Sequence, residues 1–192
     1  MTERRKEKML QVLRRRQPTL TIVMEDIHDP HNVSAVLRSA DAVGVQEVQL
    51  LYLHETFPKL GKKSSASAVK WMDRRKFSSV QECYDTLHRE GFTIYATRLG
   101  SDARSLYDID LTAPVALVFG NEHRGVSDEA AERADGQIII PMTGMIQSLN
   151  VSVACAVCLY EALRQRQVKG LYGEPALSSE KIAGKLRQWM KP

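Results

Sequence analysis

The sequence lacks a long apolar run. Its hydrophobic residues, 43% of the total, nowhere gather into the roughly 20 consecutive positions that a membrane-spanning helix needs. A soluble globular protein is therefore expected. Cysteine is scarce: Cys83, Cys155 and Cys158 are the only ones in 192 residues, and an odd number without a secretory signal speaks against a disulfide framework. Cys155 and Cys158 are spaced as CxxC. They fall inside an apolar helical pattern with no second cysteine pair or histidine cluster to complete a metal site. They read as buried small residues, and no metal is expected. The opening residues, MTERRKEKML, lack the apolar stretch of a signal peptide and interleave acids with bases, so a cytoplasmic location without membrane attachment is expected. Tandem repeats and low-complexity linkers are also missing, and the length suits one domain with modest extensions.

What charge there is lies unevenly. Residues 1–17 hold seven Lys or Arg against two acids, which exceeds the net +4 of the whole chain and leaves the remainder slightly acidic. Such a basic helical arm suits a polyanion such as nucleic acid, or is simply a solvated helix face. After Gln17-Pro18 the pattern changes period. LTIVME (20–25), EVQLLYL (47–53), FTIYATRL (92–99), PVALVFG (114–120) and QIIIPM (137–142) are short, β-branched apolar runs, with WMDRRKF around Trp71 a weaker sixth. Helical spacing fills 32–43, 80–90, 128–134 and 148–165, and a last helix is expected over 179–190. Alternation of strands and helices predicts an α/β domain around a mostly parallel sheet.

Three stretches between these elements are candidates for chemistry. In HNVSAVLRSADAVG (31–44), Asn32 opens a helix and Arg38 lies nearly two turns later, so both are expected to face one pocket. An arginine on an otherwise apolar helix needs a phosphate or carboxylate partner, or forms a surface salt bridge. In FGNEHRGVSDEA (119–130), the glycines let backbone approach a ligand or a neighbouring loop. The stretch is no Walker A loop, because Val126 stands where a lysine is required. Glu122 there either orients a basic group or is merely solvated. In PMTGMIQSLNVSVACAV (141–157), a strand runs through Pro141 into a polar loop, with Ser148 as the expected cap of the next helix. Ligands of α/β sheets bind beyond the carboxyl ends of strands. The ends after Leu99, Phe119 and Ile140 are therefore expected to share one crevice. None of them is a GxGxxG loop.

Together these stretches resemble the motifs of the SpoU branch of the SPOUT RNA 2′-O-methyltransferases. The match comprises Asn32, Ala35, Arg38 and Gly44, then Phe119-Gly120, Glu122 and Gly125, then Ile140-Pro141-Met142 with Ser148-Leu149-Asn150-Val151-Ser152, in the family's order. The flanks RRRQPTLTIVMEDIHDPHN and EALRQRQVKGLY resemble the members that act on guanosine 18 of the tRNA D-loop. The resemblance implies an α/β sheet carrying a deep C-terminal trefoil knot, a homodimer, and S-adenosyl-L-methionine as cofactor, with tRNA as the partner. It divides the chain into a basic RNA-binding helical extension (1–17), the methyltransferase domain (18–167) and a C-terminal helical extension (168–192). Implied cofactor contacts are Thr97, Arg98, Leu99, Gly120, Ile140, Met142, Ser148 and Leu149. Implied catalytic residues are Arg38, Asn32, Glu122, Ser148 and Asn150. The family gives the arginine matching Arg38 the central role, sometimes as the base that activates the hydroxyl. Guanidinium groups normally stay charged, so Arg38 acts either as an unusual base or as a stabiliser of the developing alkoxide. Other readings are a SpoU enzyme for ribosomal RNA or the tRNA wobble ribose, and a catalytically silent RNA-binding assembly factor. The basic, serine-rich region around 54–70 reads as an RNA contact or an ordinary surface loop.

Overall fold

A computed structural model describes residues 2–60, 70–100 and 102–190. Helix α1 (Glu3–Arg14) leads into β1 (Leu20–Glu25), α2 (Pro30–Ala42), β2 (Glu47–Leu51), β3 (Asp73–Phe77) and α3 (Val80–Arg89). Then follow β4 (Thr93–Thr97), the short β5 (Arg104–Ser105), β6 (Val115–Phe119), α4 (Asp128–Arg133), β7 (Gly136–Ile139), α5 (Val151–Val168) and α6 (Ser179–Trp189). The strands form one 7-stranded sheet in the order β3-β2-β1-β6-β4-β7-β5, and every pairing is parallel.

A parallel sheet is covered on both faces, and the strand residues divide accordingly. Leu20, Ile22 and Met24 of β1 pack with Val33, Val36 and Leu37 of α2 and with Cys155, Cys158 and Leu159 of α5. Val23, pointing the other way as the period of two demands, packs with Val80, Tyr84 and Leu87 of α3 and Ala130 of α4. The central strands β1 and β6 are buried along their whole length, which explains their continuous apolar runs. β3 reads as DRRKF because it is an edge strand with one partner, β2. Its Arg75 reaches Glu47 and Glu90 at 2.6 and 2.7 Å. The short β5, which no sequence pattern announced, forms the other edge. Residues 61–69 of the basic middle region lie outside the described residues.

The terminal helices pack on each other: Met9 and Leu13 of α1 meet Trp189 of α6, whose ring stands edge-on to Trp71 at 5.1 Å. Two fully buried arginines lie where these helices and α5 meet the sheet. Arg16 donates from Nη1 to the Val45 carbonyl (2.8 Å) and from Nη2 to Asp41 (2.7 Å) and the Trp71 carbonyl (2.8 Å), with the Trp189 ring beneath it at 5.4 Å. Arg166 donates to the carbonyls of Leu111, Thr19 and Ala113, to Thr19 Oγ1 and to Gln17 Oε1. None of these acceptors is a carboxylate, and burial lowers the pKa of the group. Its stability rests on complete hydrogen bonding. Replacing Arg166 by Leu strands these acceptors in the interior, and equilibrium unfolding in urea is expected to show a loss of about 3 kcal/mol or more.

Candidate active site

The carboxyl ends of β1, β4, β6 and β7 face one cleft of ≈ 940 Å³. Its floor includes Phe119, Ile138 and Cys158, and its rim includes Arg98, Arg124 and the loop after Ile140. The crevice expected from the sequence is thus present. Thr97, Arg98, Leu99, Gly120, Ile140, Met142, Ser148 and Leu149 all line it, as do Glu122 and Asn150. Thr97 is fixed by a 2.7 Å bond from its hydroxyl to the Val118 carbonyl, and Arg98 pairs with Asp128 at 2.6 Å. Cys158 and Cys155 are buried free thiols packed in the core. Burial pushes the Cys158 thiol up to about 12.

The wall after β6 is a tight loop closed by two backbone bonds: Asn121 donates to the Gly125 carbonyl at 3.0 Å and Gly125 to that of Asn121 at 2.8 Å. Gly125 has φ +68°, a left-handed conformation. Gly120 is required for a different reason. A Cβ there would lie 2.1 Å from the backbone of Gly125. The close approach anticipated for these glycines is therefore to the neighbouring strand of the same loop. Asn121 completes the turn, accepting from the amides of His123 and Arg124 and donating to the Asp26 carbonyl at 2.9 Å.

Glu122 gathers the end of β1 onto this loop. Its Oε1 accepts from the Asp29 amide and from Asn32 Nδ2, both at 3.1 Å. Its Oε2 lies 3.3 Å from the His28 amide and 3.0 Å from His28 Nδ1. Asn150 Nδ2 donates to Asn32 Oδ1 at 3.0 Å, so the chain Glu122–Asn32–Asn150 joins the three motif stretches. Burial works to raise the Glu122 carboxyl, but the bonds from Asn32 and the backbone outweigh it and hold the pKa below 4.5. Glu25 shows the opposite balance: burial keeps its carboxyl raised despite two bonds from Ser127.

Two placements differ from the sequence expectation. Asn150, not Ser148, caps α5: its side-chain oxygen accepts from the amides of Ser152 and Val153 and from the Ser152 hydroxyl, while Ser148 is exposed in the preceding loop. Asn32 and Arg38 do not share a pocket within one chain. Six residues advance a helix by one and two-thirds turns, so the two side chains point roughly 120° apart. Asn32 is buried in the network, whereas Arg38 is exposed, outside the cleft, and without a hydrogen bond or ion pair among the described residues. His28 and Asn121 were not singled out by the sequence. His28 meets Glu122, and Asn121 the Asp26 carbonyl, across more than 90 positions, beyond the reach of any local pattern.

A parallel α/β sheet whose carboxyl-end cleft is built from these motifs defines an RNA methylase of the SpoU kind, and the chain belongs to the SpoU rRNA Methylase family, whose model matches residues 19–160. Among its relatives, the tRNA (guanosine(18)-2′-O)-methyltransferase of Thermus thermophilus is 47% identical over 190 residues, covering 99% of this chain and 97% of the relative. The crystal structure of the A. aeolicus TrmH/SpoU tRNA modifying enzyme superposes with a TM-score of 0.91 at 39% identity, covering 97% of this chain and 95% of that one. The SpoU methyltransferase AviRb from Streptomyces viridochromogenes, solved in complex with the cofactor AdoMet, has a TM-score of 0.69 at 26% identity, covering 79% of this chain and 59% of that one.

Gly120→Ala must push the loop apart, so the cleft is expected to lose ligand binding by calorimetry and the fold to lose about 1–3 kcal/mol. The depressed Glu122 carboxyl contributes stability that is fully present above pH 4.5, its unfolded value, and that fades as the pH falls through its lower folded value. Urea titrations from about pH 6 down to about pH 3 should therefore show a steeper loss for wild type than for Glu122→Gln.

Proposed function

We propose that the chain transfers a methyl group from S-adenosyl-L-methionine to the ribose 2′-hydroxyl of guanosine 18 in the D-loop of tRNA. The observation that carries this reading is the single cleft lined by the three motif stretches, in a chain 47% identical over nearly its full length to an enzyme of that activity. The cleft suits the cofactor: an apolar floor for adenine is rimmed by loop backbone that can read its edge and ribose. Gly120, Ile140, Met142, Ser148 and Leu149 hold it from one side, and Thr97, Arg98 and Leu99 from the β4 end. When bound, it supplies an electrophilic methyl on a cationic sulfur. Asn32, Glu122, Ser148 and Asn150 shape the site and fix the target ribose, and Arg38 stabilises the alkoxide that develops as the hydroxyl is lost.

The chain works as a homodimer in the cytoplasm, and Arg38 acts at or near the subunit interface. Its exposure without a partner, on the helix that carries Asn32, supports that role. So do the exposed apolar side chains Met145, Ile146, Val153 and Tyr160 beside the cleft loop and on α5. The segment from β6 through α5 forms the deep trefoil knot of the family. The basic α1 arm and the segment after Val168 extend the methyltransferase domain and hold tRNA.

Labelled methyl groups are expected to pass to unmodified tRNA transcripts. Arg38→Ala, or 2′-deoxyribose at guanosine 18, should each abolish the transfer. Undiminished transfer to the deoxy tRNA would move the target to another nucleotide, and transfer to ribosomal RNA alone would replace the tRNA reading.

A further inference from the structure

The cleft rim carries two arginines, and they are held differently. Arg98 is gripped by Asp128 at 2.6 Å. Arg124, two residues beyond Glu122 on the turn after β6, is held at only one end of its fork. Its Nη2 lies 3.3 Å from Glu55 Oε1 and 3.9 Å from Asp26 Oδ2, while Nε and Nη1 make no hydrogen bond among the described residues. Asp26 is already engaged, because it accepts from the amides of Leu53, His54 and Glu55. Its side chain is 5% exposed against 54% for that of Arg124. Glu55 offers one oxygen, farther off than in a good charge-assisted bond. Exposed pairs of this kind are worth little.

The backbone beneath Arg124 is fixed, by contrast. Asn121 Oδ1 accepts from the Arg124 amide at 3.2 Å, and the turn is closed by the two bonds between Asn121 and Gly125. Glu55 is anchored too, its amide donating to Asp26 at 3.1 Å. A long side chain is thus mounted on a rigid base at the cleft mouth, and His54 and His123 line the cleft beside it. A planar guanidinium with free donors fits an oxyanion that accepts two parallel bonds, as a phosphate does. In RNA each ribose is flanked by phosphates, so a strand that delivers a 2′-hydroxyl to this cleft lays a phosphate along its rim.

We propose that Arg124 binds the phosphate beside the target ribose, and that Glu55 holds the guanidinium in place until RNA displaces it. The proposal rests on the tRNA reading and adds a substrate contact to it. Moving from Glu55 to phosphate exchanges one weak bond for a bidentate pair. The contact carries no sequence information, and it fixes the register of the ribose against the cleft. Glu55 is a competitor for the same donors, so the two side chains oppose each other in RNA binding.

That opposition is read by fluorescence anisotropy with labelled, unmodified tRNA and no cofactor. Arg124→Gln should weaken binding about tenfold and lower the slope of log affinity against log salt by about one. Glu55→Gln, which releases the arginine, should tighten binding about two- to fivefold, and the gain should vanish in the double variant. A salt slope unchanged in Arg124→Gln, or a Glu55→Gln that weakens binding, would overturn the proposal. So would a gain that persists without Arg124, since Glu55 would then act by repelling RNA directly. Calorimetry separates the other anionic group at the cleft: S-adenosyl-L-methionine should bind both single variants as it binds wild type, and a loss confined to the cofactor would assign Arg124 to its carboxylate instead. Wild-type protein that binds tRNA yet transfers no methyl would overturn the reaction, and the opposite shifts in affinity would still decide the Arg124 contact.

Discussion

The site depends on one carboxylate. Glu122 accepts from His28, Asp29 and Asn32, and Asn32 hands the connection on to Asn150. Each of these bonds spans at least 90 positions of sequence. A charged acceptor strengthens every donor aimed at it, and all four of its donors sit within five residues of chain, 28–32. Those residues lose their freedom together. The loop between β1 and α2, the turn after β6 and the start of α5 thereby become one rigid wall, which is what a reaction limited by orientation requires.

Stability and chemistry occupy opposite ends of the sheet. Arg16 and Arg166 are bonded at the amino ends of the strands: Thr19 precedes β1, Val45 precedes β2, and Ala113 precedes β6. Burying a guanidinium is costly unless its donors are matched, and Arg166 matches all of its own with neutral acceptors. The carboxyl ends instead keep exposed polar groups and a glycine-dependent turn. That is the end beyond which ligands of such sheets bind.

The architecture was legible because its signals are periodic. Short apolar runs announced β1, β2, β4, β6 and β7, of which β1 and β6 are buried along their whole length, and the motif stretches meet at one cleft. The rest failed for physical reasons. DRRKF makes a weak strand signal because an edge strand needs only one apolar face. Ser148 and Asn150 are both competent cap residues, and Asn150, which caps α5, also bonds Asn32 118 positions away, a contact no local pattern carries. The separation of Asn32 from Arg38 follows from helical geometry that a rounding of two turns had concealed. His28 looked like any polar residue before a proline turn until Glu122 was seen beside it.

The strand order has a consequence for synthesis on the ribosome. β1 pairs with β2 on one edge, but its other edge pairs with β6, Leu20 opposite Val115. At the usual 5–20 residues per second, the nascent chain carries that open apolar edge for on the order of 5–20 s before its partner is made. Strand β7 and helix α5 come later still. Helix α1, which precedes β1 in the chain, is charged along its exposed side, and like charges repel other chains while the middle of the sheet is still unbuilt.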